Sequence, residues 1–290
     1  MKQPFSIVYQ ITQECPFDCS ICHRLYQPGR KPLSMERRKE MVVVLKSLGL
    51  KRLTITGGEP TILGENLYAF LRYIHDQEIH VSLSSNGYRL TPERIEELDQ
   101  YLDQLLIPIR SFSEKEWRVD FGDTPKSGEL YRNVMQLLEV IKKTGIFLEV
   151  STVVHKRNIG TIHSLGSELA KVNSNIIWRV EEYYSNGYRE DLRSSFELSS
   201  EEYQRVCESV ERQFSDTFKQ IRFVTKESRA QAPDIFIGPD GNLVKTSNYT
   251  YNQKVGNIFN AQLPELSSNR RPWENYKLVC RDWGWDNQLD

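Results

Sequence analysis

Hydrophobic and polar positions alternate along residues 5–181 in a pattern that predicts strands separated by helices. Apolar residues recur at helical spacing in Ser34–Leu48, Pro92–Leu102, Leu130–Thr144 and Thr161–Val172. The β-rich runs between them predict six strands: Phe5–Thr12, Leu53–Thr56, His80–Ser84, Gln104–Ile109, Ile146–Val154 and Ile176–Glu181. Such alternation predicts an α/β fold with a parallel sheet and right-handed crossovers, either an open doubly wound sheet or a full or partial barrel.

The regular pattern ends after Ser185. A helix is predicted from about Ser199 to Phe218, with Cys207 inside it. Three short strands follow, and a Pro-Asp-Gly-Asn turn joins the last two: Ile221–Val224, Ile235–Gly238 and Leu243–Lys245. We therefore predict a core domain over residues 1–185 and a small α+β extension over residues 186–290.

Composition and charge exclude several classes of protein. With 39% hydrophobic and 27% charged residues in 290, the chain is expected to fold into a globular protein. A formal net charge of −1 gives no general attraction to nucleic acid or to anionic membranes. The sequence shows neither an apolar run of about 18 residues nor a signal peptide, so we expect a cytoplasmic protein. Thiols are reduced there, so clustered cysteines indicate metal ligands or catalysts rather than disulfides.

Three of the five cysteines, Cys15, Cys19 and Cys22, lie within eight positions after the first strand. A zinc site normally takes four ligands, and the nearest candidate for the fourth is His23. Three thiolates suit a different group, because they can hold three irons of a [4Fe–4S] cluster and leave the fourth iron open. Zinc with a distant fourth ligand and a chance grouping of thiols are the alternatives.

Other polar residues also follow the predicted strands. In both candidate architectures, loops at the carboxyl ends of parallel strands form the functional site. We therefore expect one site built from the segments that follow strands one to five in turn: Cys15–Cys22, Gly57–Pro60, Ser85–Gly87, Arg110-Ser111 and His155.

The cysteine spacing Cx3Cx2C together with Gly57-Gly58-Glu59-Pro60 resembles the radical S-adenosylmethionine (SAM) superfamily over roughly residues 5–185. The resemblance implies a partial (β/α)6 TIM-type barrel and one [4Fe–4S] cluster whose open iron SAM chelates. It also implies an enzyme in which reduction of the cluster cleaves SAM to methionine and a 5′-deoxyadenosyl radical, which abstracts hydrogen from a substrate. An electron donor such as flavodoxin or ferredoxin is the implied protein partner.

The resemblance further assigns SAM contacts to residues at the strand ends. Arg110 departs from the family's Ser-Leu-Asp pattern, and its planar guanidinium suits either the SAM carboxylate, an anionic substrate or a surface acid. The remaining expected contacts are the turn after strand two, the polar end of strand three, and residues on strands five and six: Gly57, Gly58, Glu59, Pro60, Ser84, Ser85, Asn86, Ser151, Trp178 and Arg179.

The C-terminal extension resembles the SPASM or twitch region that frames a second cluster in some members. The frame is present at Ile237–Val244 and Val255–Phe259, but Lys245-Thr246-Ser247 stands where a cysteine is expected. Cys280 is the one thiol near the expected final position. We therefore predict a single cluster and a degenerate hairpin that closes the barrel mouth.

Viperin-like and molybdenum-cofactor-cyclase-like members share this organisation, which favours a small polar or anionic substrate such as a nucleotide or sugar. Several cations suit a phosphate or carboxylate: Arg110, Arg157, Arg179, Arg189 and Lys245. The first alternative is a maturase that epimerises or crosslinks a ribosomally made peptide, which the three or so residues before strand one disfavour. The second is a sensor that binds SAM or a cluster without catalysis.

Overall fold

The computed structural model describes residues 5–22, 30–185, 190–231, 235–247 and 250–260. The first half of the chain, to the end of the fifth strand, contains the following elements: β1 (Phe5–Thr12), α1 (Met35–Leu48), β2 (Leu50–Gly57), α2 (Glu65–Asp76), β3 (His80–Ser84), α3 (Pro92–Leu98), β4 (Gln104–Pro108), α4 (Glu114–Phe121), α5 (Pro125–Ile141) and β5 (Phe147–Val154). The second half continues with α6 (Ile162–Val172), β6 (Ile177–Glu182), α7 (Arg193–Phe196), α8 (Ser200–Phe214), β7 (Gln220–Val224), α9 (Lys226–Gln231), β8 (Ile235–Ile237), β9 (Asn242–Ser247) and β10 (Thr250–Asn257).

All six predicted strands of the core are present, as β1–β6. The helices α2 and α4 are additional findings, because neither was predicted as an element. Four helix starts are explained by side-chain caps, in which a Ser or Thr oxygen accepts a backbone N–H of the first turn: Ser34, Thr91, Thr124 and Ser199.

The strands form one ten-stranded sheet in the order β10-β9-β8-β1-β2-β3-β4-β5-β6-β7. The strands from β8 through β1–β6 to β7 are parallel, as the alternation predicts, while β9 and β10 are antiparallel to their neighbours. Residues 186–290 contribute strands at both ends, since β7 pairs with β6 and β8 pairs with β1. Over the described residues the sheet stays open, with β7 and β10 as its edges. The division at residue 185 remains a prediction.

The two faces of the parallel sheet differ in polarity. On β1, Ile7, Tyr9 and Ile11 are fully buried in the main core, to which the helices also contribute. The opposite face of the sheet carries polar side chains on β4 and β5, among them Gln104 and Glu149, whose side chains hydrogen-bond to each other at 2.8 Å. A functional site at the carboxyl ends of the strands can therefore use the polar face of the sheet.

The predicted accessory hairpin is present, but it extends the sheet beyond β1. The carbonyl oxygen of Pro239 accepts the Leu33 N–H at 2.8 Å, and Asp240 pairs with Arg30 at 3.1 Å. The Arg37 guanidinium lies 3.5 Å from the centroid of the Phe259 ring. These contacts attach the hairpin to the start of α1, and its described residues do not line the cavity below the cysteine loop. The expectation that it closes the barrel mouth is therefore corrected; Cys280 lies outside the described residues.

Within the described ranges, no helix is both long and apolar enough to cross a membrane.

Candidate active site

One cavity of about 300 Å³ lies at the carboxyl ends of β1–β6. Twelve of the fourteen predicted site residues line it: Cys15, Cys19, Cys22, Gly57, Gly58, Glu59, Ser84, Ser85, Asn86, Arg110, Ser151 and Arg179. The loops after β1–β4 and side chains of β5 and β6 therefore meet at one place, as expected for parallel strands whose carboxyl ends share one edge. His155, expected at the same site after β5, does not line this cavity.

The cysteine loop is held by packing and by backbone hydrogen bonds. The Cys22 N–H donates to the Cys19 carbonyl oxygen at 3.2 Å, which makes a tight turn. Phe17 meets the Tyr88 ring edge-on at a centroid distance of 5.1 Å, and Ile21 packs in a small buried cluster. The Ser20 N–H donates to the Asp120 carbonyl oxygen at 3.0 Å, which ties the loop to α4.

The donor set fits a [4Fe–4S] cluster better than a mononuclear metal. None of the three thiols is in a disulfide. Among the described residues, no group of three or more His, Cys, Asp or Glu side chains converges enough to ligate a single ion. A cluster makes a different demand, because each thiolate binds its own iron. Burial, followed by the neighbouring Cys22 and Cys15, raises the pKa of the Cys19 thiol well above its usual value, and a bound cation would favour the thiolate.

The glycines after β2 are required by backbone packing. A Cβ at Gly58 would lie 2.1 Å from the Glu14 carbonyl oxygen, and one at Gly57 would lie 2.6 Å from that of Thr12. The Gly58 N–H donates to the Thr12 carbonyl oxygen, and the Glu59 N–H to that of Glu14, both at 2.8 Å. The end of β2 is therefore pressed against the segment that leads into the cysteine loop.

Glu59 is 1% exposed, and its carboxylate joins the ends of β2 and β3. It accepts the Thr61 N–H (3.0 Å) and the hydroxyls of Thr61 and Ser85 (both 2.7 Å), while its second oxygen accepts the Asn86 N–H (2.8 Å). Burial raises the pKa of this carboxyl group, and the hydrogen bonds oppose that rise. Glu59 therefore fixes the polar loop after β3.

Arg179 lies between two carboxylates on the cavity floor. Its Nη1 is 3.1 Å from Glu149 and its Nη2 is 2.9 Å from Glu181. Glu181 also accepts the Ser151 hydroxyl. Burial lowers the pKa of Arg179, but Glu181 and Glu149 outweigh it and raise the pKa, so this guanidinium stays charged.

Two predicted site residues do not line the cavity. Trp178 is fully buried on the opposite face of β6, where its ring packs edge-on against Phe218 (5.3 Å) and its Nε1–H donates to Thr152 (3.0 Å). It therefore belongs to the core, and the SAM contact expected of it is corrected. Pro60 is buried at the first position of a short 3₁₀ turn, where its fixed φ suits the start of a helix.

The remaining predicted cations are more scattered than expected. Arg157 is exposed and lies 4.4 Å over the Phe196 ring, and Lys245 lies on β9, away from the cavity. Arg189 is outside the described residues. Two cations of the predicted set, Arg110 and Arg179, thus line the cavity.

Among the cavity residues that the sequence did not single out are Asp120 and Tyr184. Asp120 was missed because α4 was not predicted, although its position one turn from Glu116 was a detectable signal. Glu149 was also missed, although the alternation Glu149, Ser151, Val153 along β5 places a charge on the inward face.

A parallel α/β sheet with three clustered thiols at its carboxyl edge defines an α/β protein with a candidate metal-cluster site. The radical SAM superfamily model matches residues 9–165, more than half of the chain. The chain therefore belongs to the radical SAM superfamily, whose members use a [4Fe–4S] cluster and SAM.

Relatives with curated names include an S-adenosylmethionine-dependent nucleotide dehydratase from Lacinutrix mariniflava, 24% identical over 85% of this chain and 52% of its own. An AdoMet-dependent heme synthase from Methanosarcina barkeri is 24% identical over 95% of this chain and 83% of its own. The chain thus spans about half the length of the first of these relatives. Among solved structures, Streptococcus suis SuiB bound to its precursor peptide SuiA superposes with a TM-score of 0.72 at 14% identity, covering 96% of this chain and 67% of SuiB. That likeness shows a shared fold.

Proposed function

We propose that Cys15, Cys19 and Cys22 hold one [4Fe–4S] cluster and that the cavity binds SAM beside it. When both are bound and the cluster is reduced, they supply a 5′-deoxyadenosyl radical that abstracts hydrogen from a substrate. The observation that supports this proposal is that the predicted site residues converge on one cavity. Three thiols, the Gly57-Gly58 turn and the polar ends of β3–β6 surround one cavity of about 300 Å³.

The chain's own residues have distinct roles in this proposal. The backbone of Gly57 and Gly58 would hold the methionine end of SAM, and Ser84 and Asn86 would add polar contacts at the end of β3. Ser151 and Glu181, which hydrogen-bond to each other, present an acceptor to the ribose hydroxyls. Glu59 positions the loop after β3 by accepting hydrogen bonds from Ser85 and Asn86.

The charge of the cavity bears on the substrate. Two arginines, Arg110 and Arg179, face three carboxylates in its lining: Glu59, Asp120 and Glu181. Arg179 is paired with carboxylates at 2.9–3.1 Å, whereas Arg110 lies 4.0 Å from Asp120, so Arg110 is the single arginine of the described lining with N–H groups to spare. A polyphosphate needs several uncommitted cations, which the described lining does not provide. We therefore favour a polar substrate of low negative charge, such as a segment of peptide or an uncharged metabolite.

A nucleotide is the second candidate. The dehydratase relative, which matches 85% of this chain, is named for that substrate class. In either case a one-electron donor is required, and we propose a flavodoxin or ferredoxin for this role.

The test is anaerobic reconstitution of the full chain with iron and sulfide, followed by dithionite and SAM. We expect 5′-deoxyadenosine and methionine to form. A protein that holds its cluster and binds SAM without ever cleaving it would instead support a sensor. Mass-spectrometric analysis should then compare 5′-deoxyadenosine formation with nucleoside triphosphates and with peptides; stimulation by triphosphates alone would overturn the charge argument.

A further inference from the structure

Behind Arg110, two buried side chains from different elements form a pair. Asp120 of α4 is 3% exposed, and His155, directly after β5, is 1% exposed. The His155 Nε2 lies 3.1 Å from one carboxylate oxygen of Asp120 and 3.3 Å from the other. Neither residue is among the SAM contacts assigned above.

The hydrogen bonds around His155 fix its ring and its tautomer. Its Nδ1 accepts the Arg157 N–H at 3.2 Å, so the ring proton is assigned to Nε2, which donates to Asp120. The His155 N–H donates to Asn158 at 2.8 Å, and the Asn158 side chain donates to the Val153 carbonyl oxygen at 2.8 Å. The ring also packs edge-on against Phe196 at a centroid distance of 4.9 Å.

The Asp120 carboxylate thus lies between a fixed imidazole N–H and the guanidinium of Arg110. The Arg110 Nε is 4.0 Å from the carboxylate, which is longer than a hydrogen bond. Among the described residues, the buried Nε and Nη1 atoms of Arg110 have no hydrogen-bond partner. Buried donors of this kind normally have one. Arg110 lines the cavity, so a bound anionic group is the natural acceptor.

We propose that Asp120 and His155 are positioning residues that hold Arg110 ready for the carboxylate of SAM. This inference rests on the proposed SAM-binding function. Because the His155 N–H occupies part of the acceptor capacity of Asp120, Arg110 keeps its charge partner without closing into a bidentate ion pair. Its N–H groups therefore stay available to a ligand.

The same pair connects SAM binding to the cysteine loop. The Asp120 carbonyl oxygen accepts the Ser20 N–H at 3.0 Å, between Cys19 and Cys22. A shift of α4 would thus move both the loop that holds the cluster and the partner of Arg110.

The experiment measures the SAM dissociation constant of the reconstituted protein. The readout is the change that added SAM causes in the electron paramagnetic resonance spectrum of the reduced cluster. Asp120→Asn and His155→Phe should each raise this constant about tenfold, the loss typical of one misplaced charge-assisted contact. His155→Gln, which keeps a side-chain N–H, should be affected less. The rate of SAM cleavage at saturating SAM should change little.

The His80 and Asp103 pair provides the matched control. It is a second His–Asp contact, at 3.8 Å. It lies at the amino-terminal ends of β3 and β4, whereas the cavity lies at the carboxyl ends of the strands. Asp103→Asn should leave the SAM dissociation constant unchanged, although it also changes an aspartate beside a buried histidine. Adding His155→Phe to Arg110→Met should cause no further loss, since the pair acts through Arg110.

Wild-type SAM affinity in His155→Phe with full iron content overturns the inference, as does an equal loss in Asp103→Asn. If Asp120→Asn fails to retain iron, the two His155 variants decide, because His155 does not contact the cysteine loop through the backbone. Wild-type protein that holds its cluster but neither binds nor cleaves SAM would defeat the proposed function itself.

Discussion

The backbone N–H of Gly58 donates a 2.8 Å hydrogen bond to the carbonyl oxygen of Thr12. This contact fixes the end of β2 against the end of β1, three residues before Cys15. The two motifs that identify the family in sequence are thus one packed unit in space.

Replacing Gly58 by Ala should destabilise this unit, because the new Cβ would lie 2.1 Å from the Glu14 carbonyl oxygen and must displace backbone. We expect the free energy of unfolding to fall by about 2–3 kcal/mol and the iron content after reconstitution to fall with it. Urea unfolding and iron analysis measure the two effects. Gly160→Ala is the control, since a Cβ there meets nothing within 4 Å. Equal stability of the two variants would refute this packing role.

The three clustered thiols predict a single cluster. Iron analysis of the reconstituted protein should give about four irons per chain. Replacing Cys15, Cys19 or Cys22 by Ala should abolish both the cluster's visible absorbance and SAM cleavage. Cys207→Ala is the control, because this thiol lies on α8, away from the cavity, and burial raises its pKa to about 11. About eight irons, or loss of the cluster in Cys280→Ala, would contradict the single-cluster prediction.

Much of the parallel core was predictable because its strands are local, continuous runs with period-two alternation. The strand-end rule then brought most site residues together without any distance information. The outer strands of the sheet were harder to predict. β7 pairs with β6, and β8 pairs with β1 through residues such as Phe236 and Val8, which are distant in the sequence. Short strands carry no signal that selects such distant partners.

The prediction of site residues was wrong where it ignored the direction of side chains along a strand. Neighbouring residues on a strand face opposite sides, so Trp178 and Arg179 could not both face SAM, and the larger apolar ring is the one in the core. Asp120 was missed for another reason. Its importance comes from packing between α4, the cysteine loop and the residue after β5, which are distant in sequence.

Glu149 and Arg179 should behave as a coupled pair on the polar face of the sheet. Glu149→Leu removes an acceptor 3.1 Å from Arg179 and 3.9 Å from Arg222, and leaves both cations less compensated. We expect a loss of about 3 kcal/mol in the free energy of unfolding. Adding Arg179→Met should cost much less than it does alone, a difference that urea unfolding of the cluster-free protein measures as a double-mutant cycle. Strictly additive losses would show that the two charges do not support each other.

Glu197 should stabilise the C-terminal half of the fold in a pH-dependent way. Its carboxylate accepts hydrogen bonds from Arg193 (2.7 Å) and Lys226 (2.9 Å), and joins the end of α7 to the start of α9. These hydrogen bonds lower the pKa of the Glu197 carboxyl group from 4.5 to about 2, and the bond from Arg193 has the largest effect. Because the pKa is lower in the folded state, the stabilisation is present above pH 4.5 and is lost as the pH falls from 4.5 towards 2.

Glu197→Gln should therefore lower the free energy of unfolding at pH 7, and the gap to wild type should narrow steadily below pH 4.5. Urea unfolding at a series of pH values measures this gap. Glu168→Gln is the control, because Glu168 pairs with Lys171 on the surface, where both side chains are exposed and such pairs contribute little. A gap that stays constant from pH 7 to pH 3 would mean that the contacts of Glu197 stabilise the fold without depending on its charge.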